Sequence, residues 1–148
     1  MNNIPTYRIA CIRDSFVRAE EVPALDRPSE VVKLAHAVIG PGEEREHFLV
    51  MYLDVRNKVK GCSVVSVGTL AASLVHPREF FRGAIIQGAA AVVAVHNHPS
   101  QDASPSIEDK ATTKRLVEAG KLLGIPLVDH VIITEGDAYF SFRESGLL

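Results

Sequence analysis

Cysteine is nearly missing from this sequence: two occur among 148 residues, Cys11 and Cys62. They do not form a C-x-x-C pair, which excludes a cysteine zinc knuckle and a dithiol redox pair of the usual spacing, and they read as idle thiols in a reducing compartment. Long apolar runs are missing too. The longest, Ala89 to Val95, is far short of the roughly 20 residues that cross a bilayer as a helix. The start, Met1-Asn2-Asn3-Ile4-Pro5, has no basic stretch leading into an apolar block, so it does not resemble a secretory leader. A soluble, cytoplasmic protein without membrane association is the expectation. Neither sign of charge dominates: 16 Lys and Arg stand against 18 Asp and Glu, a formal net charge of −2. That provides no general attraction to nucleic acid and leaves only a local basic patch as a route to one. Aromatic residues make up 6 %, which offers few obvious interface anchors and leaves the oligomeric state open.

Internal repeats and low-complexity stretches are also absent, and the length fits a single domain able to bury a core of its own. The elements can be read in order. Residues 1 to 27 are the least regular, with Tyr7 to Ile12 a candidate edge strand and Val22 to Pro28 a loop. Ser29 is placed to cap a helix over Glu30 to Ile39, which Gly40-Pro41-Gly42 stops. Glu46 to Val55 and Val59 to Val67 read as strands of an antiparallel hairpin turning at Arg56-Asn57, with Gly68-Thr69 ending the second. Pro77 opens a helix whose apolar stripe is Phe80, Phe81, Ala84, Ile85 and Gly88. Ala89 to Val95 is apolar without alternation, as in a strand covered on both faces at the middle of a sheet. Ser106 can cap a helix over Ile107 to Leu123, ended by Gly124 and Pro126. Leu127 to Thr134 reads as another buried strand, Glu135-Gly136-Asp137 as a turn and Ala138 to Phe142 as a last strand. Alternating strands and helices in the middle of the chain predict an α/β domain with a mixed sheet.

Chemistry concentrates between residues 96 and 109. Side chains alternate along a strand, so His96 and His98 can face the same side at the C-terminal edge of the central strand, where α/β sheets commonly place their sites. Asp109, in the first turn of the next helix, can swing back toward them. Two imidazoles and a carboxylate are a set that Zn2+ accepts while keeping a fourth position for water, the catalytic rather than the structural pattern. A second carboxylate nearby would accept the water's proton and deliver it to a leaving amine. Asp109 has a rival role, because Ser106-x-x-Asp109 has the form of a capping box. Spacing alone makes ligand and cap equally acceptable. The string His96-Asn97-His98 is not the dispersed signature of HNH nucleases. The H-x-E with P-C-x-x-C of zinc deaminases and the H-E-x-x-H of zincins are absent.

The ordered words His76-Pro77-Arg78-Glu79, Gly68-Thr69-Leu70, Ala89-Ala90-Ala91-Val92-Val93, His96-Asn97-His98-Pro99-Ser100, Pro105-Ser106-x-x-Asp109, Asp129-His130-Val131-Ile132 and Phe140-Ser141-Phe142 to Gly146-Leu147-Leu148 resemble the RadC-like JAB proteins. These belong to the JAB/MPN superfamily, whose JAMM motif carries metalloprotease activity. The resemblance runs from about residue 29 to the end, with residues 1–28 as an extension of the same domain. It implies one compact α/β domain with a curved mixed sheet, similar in layout to cytidine deaminases. It also implies zinc on His96, His98 and Asp109, an oxyanion-stabilising hydroxyl on Ser106 and an acid/base on Glu46, with Glu43 and Glu44 as its nearest rivals. Gln101 departs from the family's usual glycine; because Gln takes a positive φ less cheaply, the His98 loop is expected to follow another path. Residues 1–28 are too few for the helix-hairpin-helix module of longer RadC-like proteins, so the chain resembles short forms carried by prophages and mobile elements.

A zinc metallopeptidase or isopeptidase acting on a peptide or protein is therefore the leading expectation. A DNA-repair or mobile-element protein acting by binding, and a metal-dependent hydrolase of a non-peptide substrate, are the alternatives. A peptide substrate would pair as an added strand near the hairpin of residues 46 to 67. For His76 and His130, surface or structural roles are favoured over support of the site, although Asp129-His130 is placed to border the cleft. His36 and His47 are expected to be unremarkable, and Arg78, Arg82, Lys110, Lys114 and Lys121 to be solvated helix charges.

Overall fold

The computed structural model describes residues 1–68 and 75–148. Thr69 and Leu70, part of the motif above, lie outside the described residues. The elements follow in the order α1 (Pro28–Ile39), β1 (Glu46–Leu53), β2 (Val59–Gly68), α2 (Pro77–Gln87), β3 (Ala91–Asn97), α3 (Ile107–Leu123), β4 (Leu127–Ile133) and β5 (Tyr139–Ser141). The strands form one sheet in the order β2-β1-β3-β4-β5. Pairing is antiparallel except between β3 and β4, which run parallel. The α/β class and the mixed sheet are as expected.

β3 is buried at every position, because helices cover both faces of the sheet. The period of two sorts its residues. Val92 and Ala94 face a cluster with Phe80, Phe81 and Ala84 of α2 and Leu116 of α3. Val93 and Val95 face Val31, Val32 and Ala35 of α1, with Leu49, Met51 and Leu53 of β1 beside them. A strand dressed on both faces needs an unbroken apolar sequence, and Ala91–Val95 supplies it.

Several boundaries depart from expectation for local physical reasons. Ser29 is not the cap of α1. The helix starts two residues earlier, at Pro28, with Arg27 before it making no side-chain cap bond; proline's fixed φ and missing amide suit that position. β1 ends at Leu53 because Asp54 turns the chain: its Oδ1 accepts from the amides of Arg56 at 2.8 Å and Lys58 at 3.0 Å. In α2 the buried stripe is Phe80, Phe81 and Ala84, whereas Ile85 is 54 % exposed. β3 begins at Ala91 rather than Ala89, whose amide instead closes α2 on the carbonyl of Ala84, and it continues through His96 and Asn97. No strand forms over Tyr7 to Ile12: residues 1–19 carry no regular element, and Tyr7, Ile9 and Ile12 are exposed. Alternation is a local signal, whereas a strand needs a neighbour, and the outer strand β2 pairs only with β1. The N-terminal part joins the edge at Pro23 and Ala24: the Pro23 carbonyl accepts from the Val59 amide at 3.1 Å and Ala24 bridges Lys58. Cys11 is exposed and Cys62 half-buried, and no disulfide joins them. Among the described residues no helix is long and apolar enough to cross a membrane.

Gly120 shows how closely α3 lies on the sheet. A Cβ added there would meet the Ile125 carbonyl oxygen at 2.6 Å and the Leu127 nitrogen at 3.3 Å. Glycine to alanine inside an open helix stabilises by about 1 kcal/mol. At this backbone-to-backbone approach the sign should reverse, and Gly120→Ala is expected to destabilise by about 1–3 kcal/mol. Urea denaturation with unchanged m-value measures it, and a variant more stable than wild type would show that the contact is not tight.

Candidate metal centre

The site is built where β3 ends and α3 begins. His96 is the sixth residue of β3 and is buried. His98 is one residue past the strand, yet its amide still donates to the Ile133 carbonyl of β4 at 2.8 Å. The ladder therefore carries through, and both imidazoles face the same side. Their Nε2 atoms lie 2.9 Å apart. Asp109, also buried, sets Oδ1 3.1 Å from His96 Nε2 and Oδ2 3.2 Å from His98 Nε2. One ligand atom from each of the three can be chosen within 4.8 Å of the others, and this is the one such group of His, Cys, Asp or Glu among the described residues.

Capping α3 does not turn the Asp109 carboxylate away from the histidines. Its Oδ2 accepts from the Ser106 amide at 2.8 Å, while Ser106 Oγ accepts from the Asp109 amide at 3.0 Å. This complete capping box orients the carboxylate, and the same carboxylate faces both histidines. Burial alone would raise its pKa, but the adjoining His96 and His98 imidazoles and the Ser106 amide hold it far below the usual carboxylate range. For His98, burial disfavours a charge, but Asp109, the Asp102 carbonyl and the charge of Glu46 outweigh it and raise the pKa.

The loop after His98 takes its shape at some conformational cost. Gln101 itself adopts the left-handed conformation that glycine takes cheaply, φ +67°. An L-residue pays roughly 1–2 kcal/mol there. The side chain is placed to offset it: Gln101 Oε1 accepts from the Glu135 amide at 2.8 Å and Nε2 donates to the Pro99 carbonyl at 3.3 Å. The loop in turn sets His98, whose Nδ1 lies 2.7 Å from the Asp102 carbonyl oxygen. A carbonyl only accepts, so Nδ1 carries the proton and a neutral His98 turns a bare lone pair at Nε2 toward Asp109. Two imidazole nitrogens and a carboxylate gathered this closely suit a cation between them, a proton or a metal ion. The donor set, imidazole, imidazole and carboxylate, is one that zinc accepts.

Glu46 opens β1. Phe48 pairs with His96 across the β1–β3 ladder, so carrying that register on by two residues sets Glu46 opposite His98. It is half-buried. Asn97 brackets it: Oδ1 accepts from the His47 amide at 2.6 Å and Nδ2 donates to the Arg45 carbonyl at 3.0 Å. Glu43 is held by the Arg45 guanidinium at 3.0 Å, which lowers its pKa, and Glu44 is exposed.

Sequence reasoning missed Asn97 and Thr113, and it named His130 but favoured a surface or structural role for it. His130 is fully buried rather than at the surface. Its Nε2 is 2.8 Å from His96 Nδ1 and its Nδ1 2.6 Å from Thr113 Oγ1, while burial and the neighbouring imidazoles push its pKa well down. Signals existed: Thr113 lies one helical turn after Asp109 and so shares its face, and Asp129-His130 opens the strand expected beside β3. His76, by contrast, is exposed at the start of α2. A hollow beside His98, lined by Gly42, Glu43, Asn97, Gln101 and Glu135, has only about 20 Å³, room for about one water. A larger one of about 450 Å³ lies between the β1–β2 hairpin and α2 and contains none of the three candidate ligands.

The family model of the RadC-like JAB domain matches residues 25–147. A UPF0758 protein of Methanosarcina mazei is 42 % identical over 142 residues, covering 96 % of this chain and 61 % of that protein. One of Rubrobacter xylanophilus is 46 % identical over 136 residues, 92 % of this chain and 59 % of the relative. One of Caldanaerobacter subterraneus is 51 % identical over 102 residues, 69 % of this chain and 43 % of the relative. The chain spans about half the length of the curated relatives it matches. Since the matched stretch takes in the eight helices and strands of the described residues together with the converging histidines and aspartate, the chain belongs to the RadC-like JAB domain family.

Proposed function

We propose that this chain is a zinc-dependent hydrolase cleaving an amide bond, a metallopeptidase or isopeptidase of the JAMM type. The observation that carries the reading is the convergence of His96 Nε2, His98 Nε2 and the Asp109 carboxylate at one buried point. Zinc bound there supplies Lewis acidity at an open position and makes water a usable nucleophile near neutral pH. Glu46 takes the proton of the attacking water on its carboxylate and returns it to the leaving nitrogen, so that the C–N bond breaks to an acid and an amine. Asn97, bonded to the peptide groups on either side of Glu46, keeps that carboxylate in place. Ser106 Oγ already accepts from the Asp109 amide, which orients the hydroxyl to donate its proton to the oxyanion. A polypeptide substrate would lie along the surface, added as a strand at the outer strand β2.

The test compares the zinc-loaded chain with the chelator-stripped chain on a library of peptides and isopeptide-linked peptides. Cleavage that returns when zinc is restored is the expected result. A chain that holds about one zinc and cleaves none of the library would overturn the amide-hydrolase reading.

A further inference from the structure

We infer that His130, anchored by Thr113, is a positioning residue that dictates which nitrogen of His96 is offered to the metal. The inference rests on the hydrolase reading above and deepens it. The argument is one of proton placement along a buried chain of hydrogen bonds. Thr113 has a single hydroxyl proton, and its Oγ1 lies 2.7 Å from the backbone carbonyl oxygen of Asp109, which can only accept. The hydroxyl therefore offers a lone pair to His130 Nδ1 at 2.6 Å, and Nδ1 must carry the ring proton. A buried imidazole bonded to no carboxylate has one ring proton. His130 Nε2 is then bare, and it faces His96 Nδ1 at 2.8 Å. That nitrogen must donate, so His96 turns its own bare lone pair, at Nε2, toward Asp109 Oδ1 and His98.

The relay leaves the main chain of Asp109 and returns to its side chain, passing through α3, β4 and β3. It couples the helix-borne ligand to a strand-borne one. The His130 ring is held between elements, stacked on Phe142 at 4.9 Å and 7° and set against Phe48 at 5.4 Å, so it cannot turn to present the other nitrogen. Were the Thr113 hydroxyl removed, nothing would keep the proton on His130 Nδ1. The relay could then run backwards and place a proton on His96 Nε2, where it competes with the metal. His98 needs no such device, because the Asp102 carbonyl fixes its tautomer directly.

The experiment measures zinc affinity by competition with a chromophoric chelator for wild type, His130→Phe, His130→Gln and Thr113→Val. It is joined to long-range ¹H–¹⁵N spectra of the histidine rings in the zinc-loaded wild type. Phenylalanine keeps the stacking but no ring nitrogen, and is expected to weaken zinc binding about 10- to 100-fold. Glutamine can accept from His96 through Oε1 and donate to Thr113 through Nε2, and should recover most of that loss. Thr113→Val should weaken binding less than His130→Phe, without moving the thermal midpoint of the metal-free chain by a comparable amount. The spectra should show protonated Nδ1 on both His96 and His130. Equal zinc affinity in wild type, His130→Phe and Thr113→Val overturns the relay, as does a proton on His130 Nε2 in the zinc-loaded chain. If His130→Phe does not fold, Thr113→Val and the wild-type spectra decide alone. A wild type that takes up no zinc overturns the hydrolase reading itself and the relay with it, so the two failures are distinct.

Discussion

Asp109→Ala is expected to purify without zinc, as is His98→Ala, whereas wild type should carry about one zinc per chain. The reason is local and severe. The Asp109 carboxylate is the one anion at the centre and faces both imidazoles at 3.1 and 3.2 Å. Without it two lone-pair donors remain, too few for the three protein ligands of a catalytic site. Alanine also removes half of the capping box at the start of α3, a loss of about 1 kcal/mol in its own right. Asp109→Asn separates the two duties. Its side-chain oxygen can still accept from the Ser106 amide, so α3 should keep its start, but the charge that attracts the cation is gone. Elemental analysis beside circular dichroism reads both. An asparagine variant with native helix content and no zinc assigns the carboxylate to the metal. An alanine variant that retains zinc would reduce Asp109 to a cap and remove it from the ligand set.

The second large effect is expected in rate rather than in binding. Glu46→Gln should retain zinc and lose about 10²- to 10⁴-fold in hydrolysis, the range lost with a positioned acid/base. Glutamine matches the size of glutamate, and the Asn97 bonds to the flanking peptide groups do not involve the Glu46 side chain. What disappears is a group that can take a proton. The negative charge that helps raise the His98 pKa disappears too, so protons should compete less, not more, with zinc for His98. Glu43→Gln is the matched control: Glu43 is committed to Arg45, and its substitution should leave the rate unchanged. A rate lost in Glu43→Gln and kept in Glu46→Gln would reverse the assignment.

Much of the architecture was legible because its signals are local. The bounds of α3 follow from Ser106 with Asp109 at one end and left-handed Gly124 at the other. The central place of β3 follows from an apolar run that only a doubly covered strand can carry. The hairpin follows from two β-rich runs around Asn57, φ +61°. Where local signals lacked a partner they misled. Tyr7 to Ile12 alternates like a strand and pairs with nothing, and Ile85 shares helical spacing with Phe81 but points to solvent.

The candidate site divides the same way. The types and order of the candidate ligands, two histidines two residues apart and an aspartate at a helix start, were written in the sequence, and so was the reason such residues suit zinc. Whether Asp109 caps or ligates was undecidable there, because the two roles differ only in where one carboxylate points. The packing of α3 against the end of β3 lets it cap the helix while facing both histidines. Gln101 could be recognised as costly at a positive φ, but not that the Glu135 amide, on the turn after β4, would hold it there. His130 stands 34 residues from His96 and meets it only through the parallel register of β3 and β4. The residue chemistry was thus determined by the sequence alone, while the direction of each lone pair was decided by the tertiary structure, because that direction is set by hydrogen bonds between elements far apart in the chain.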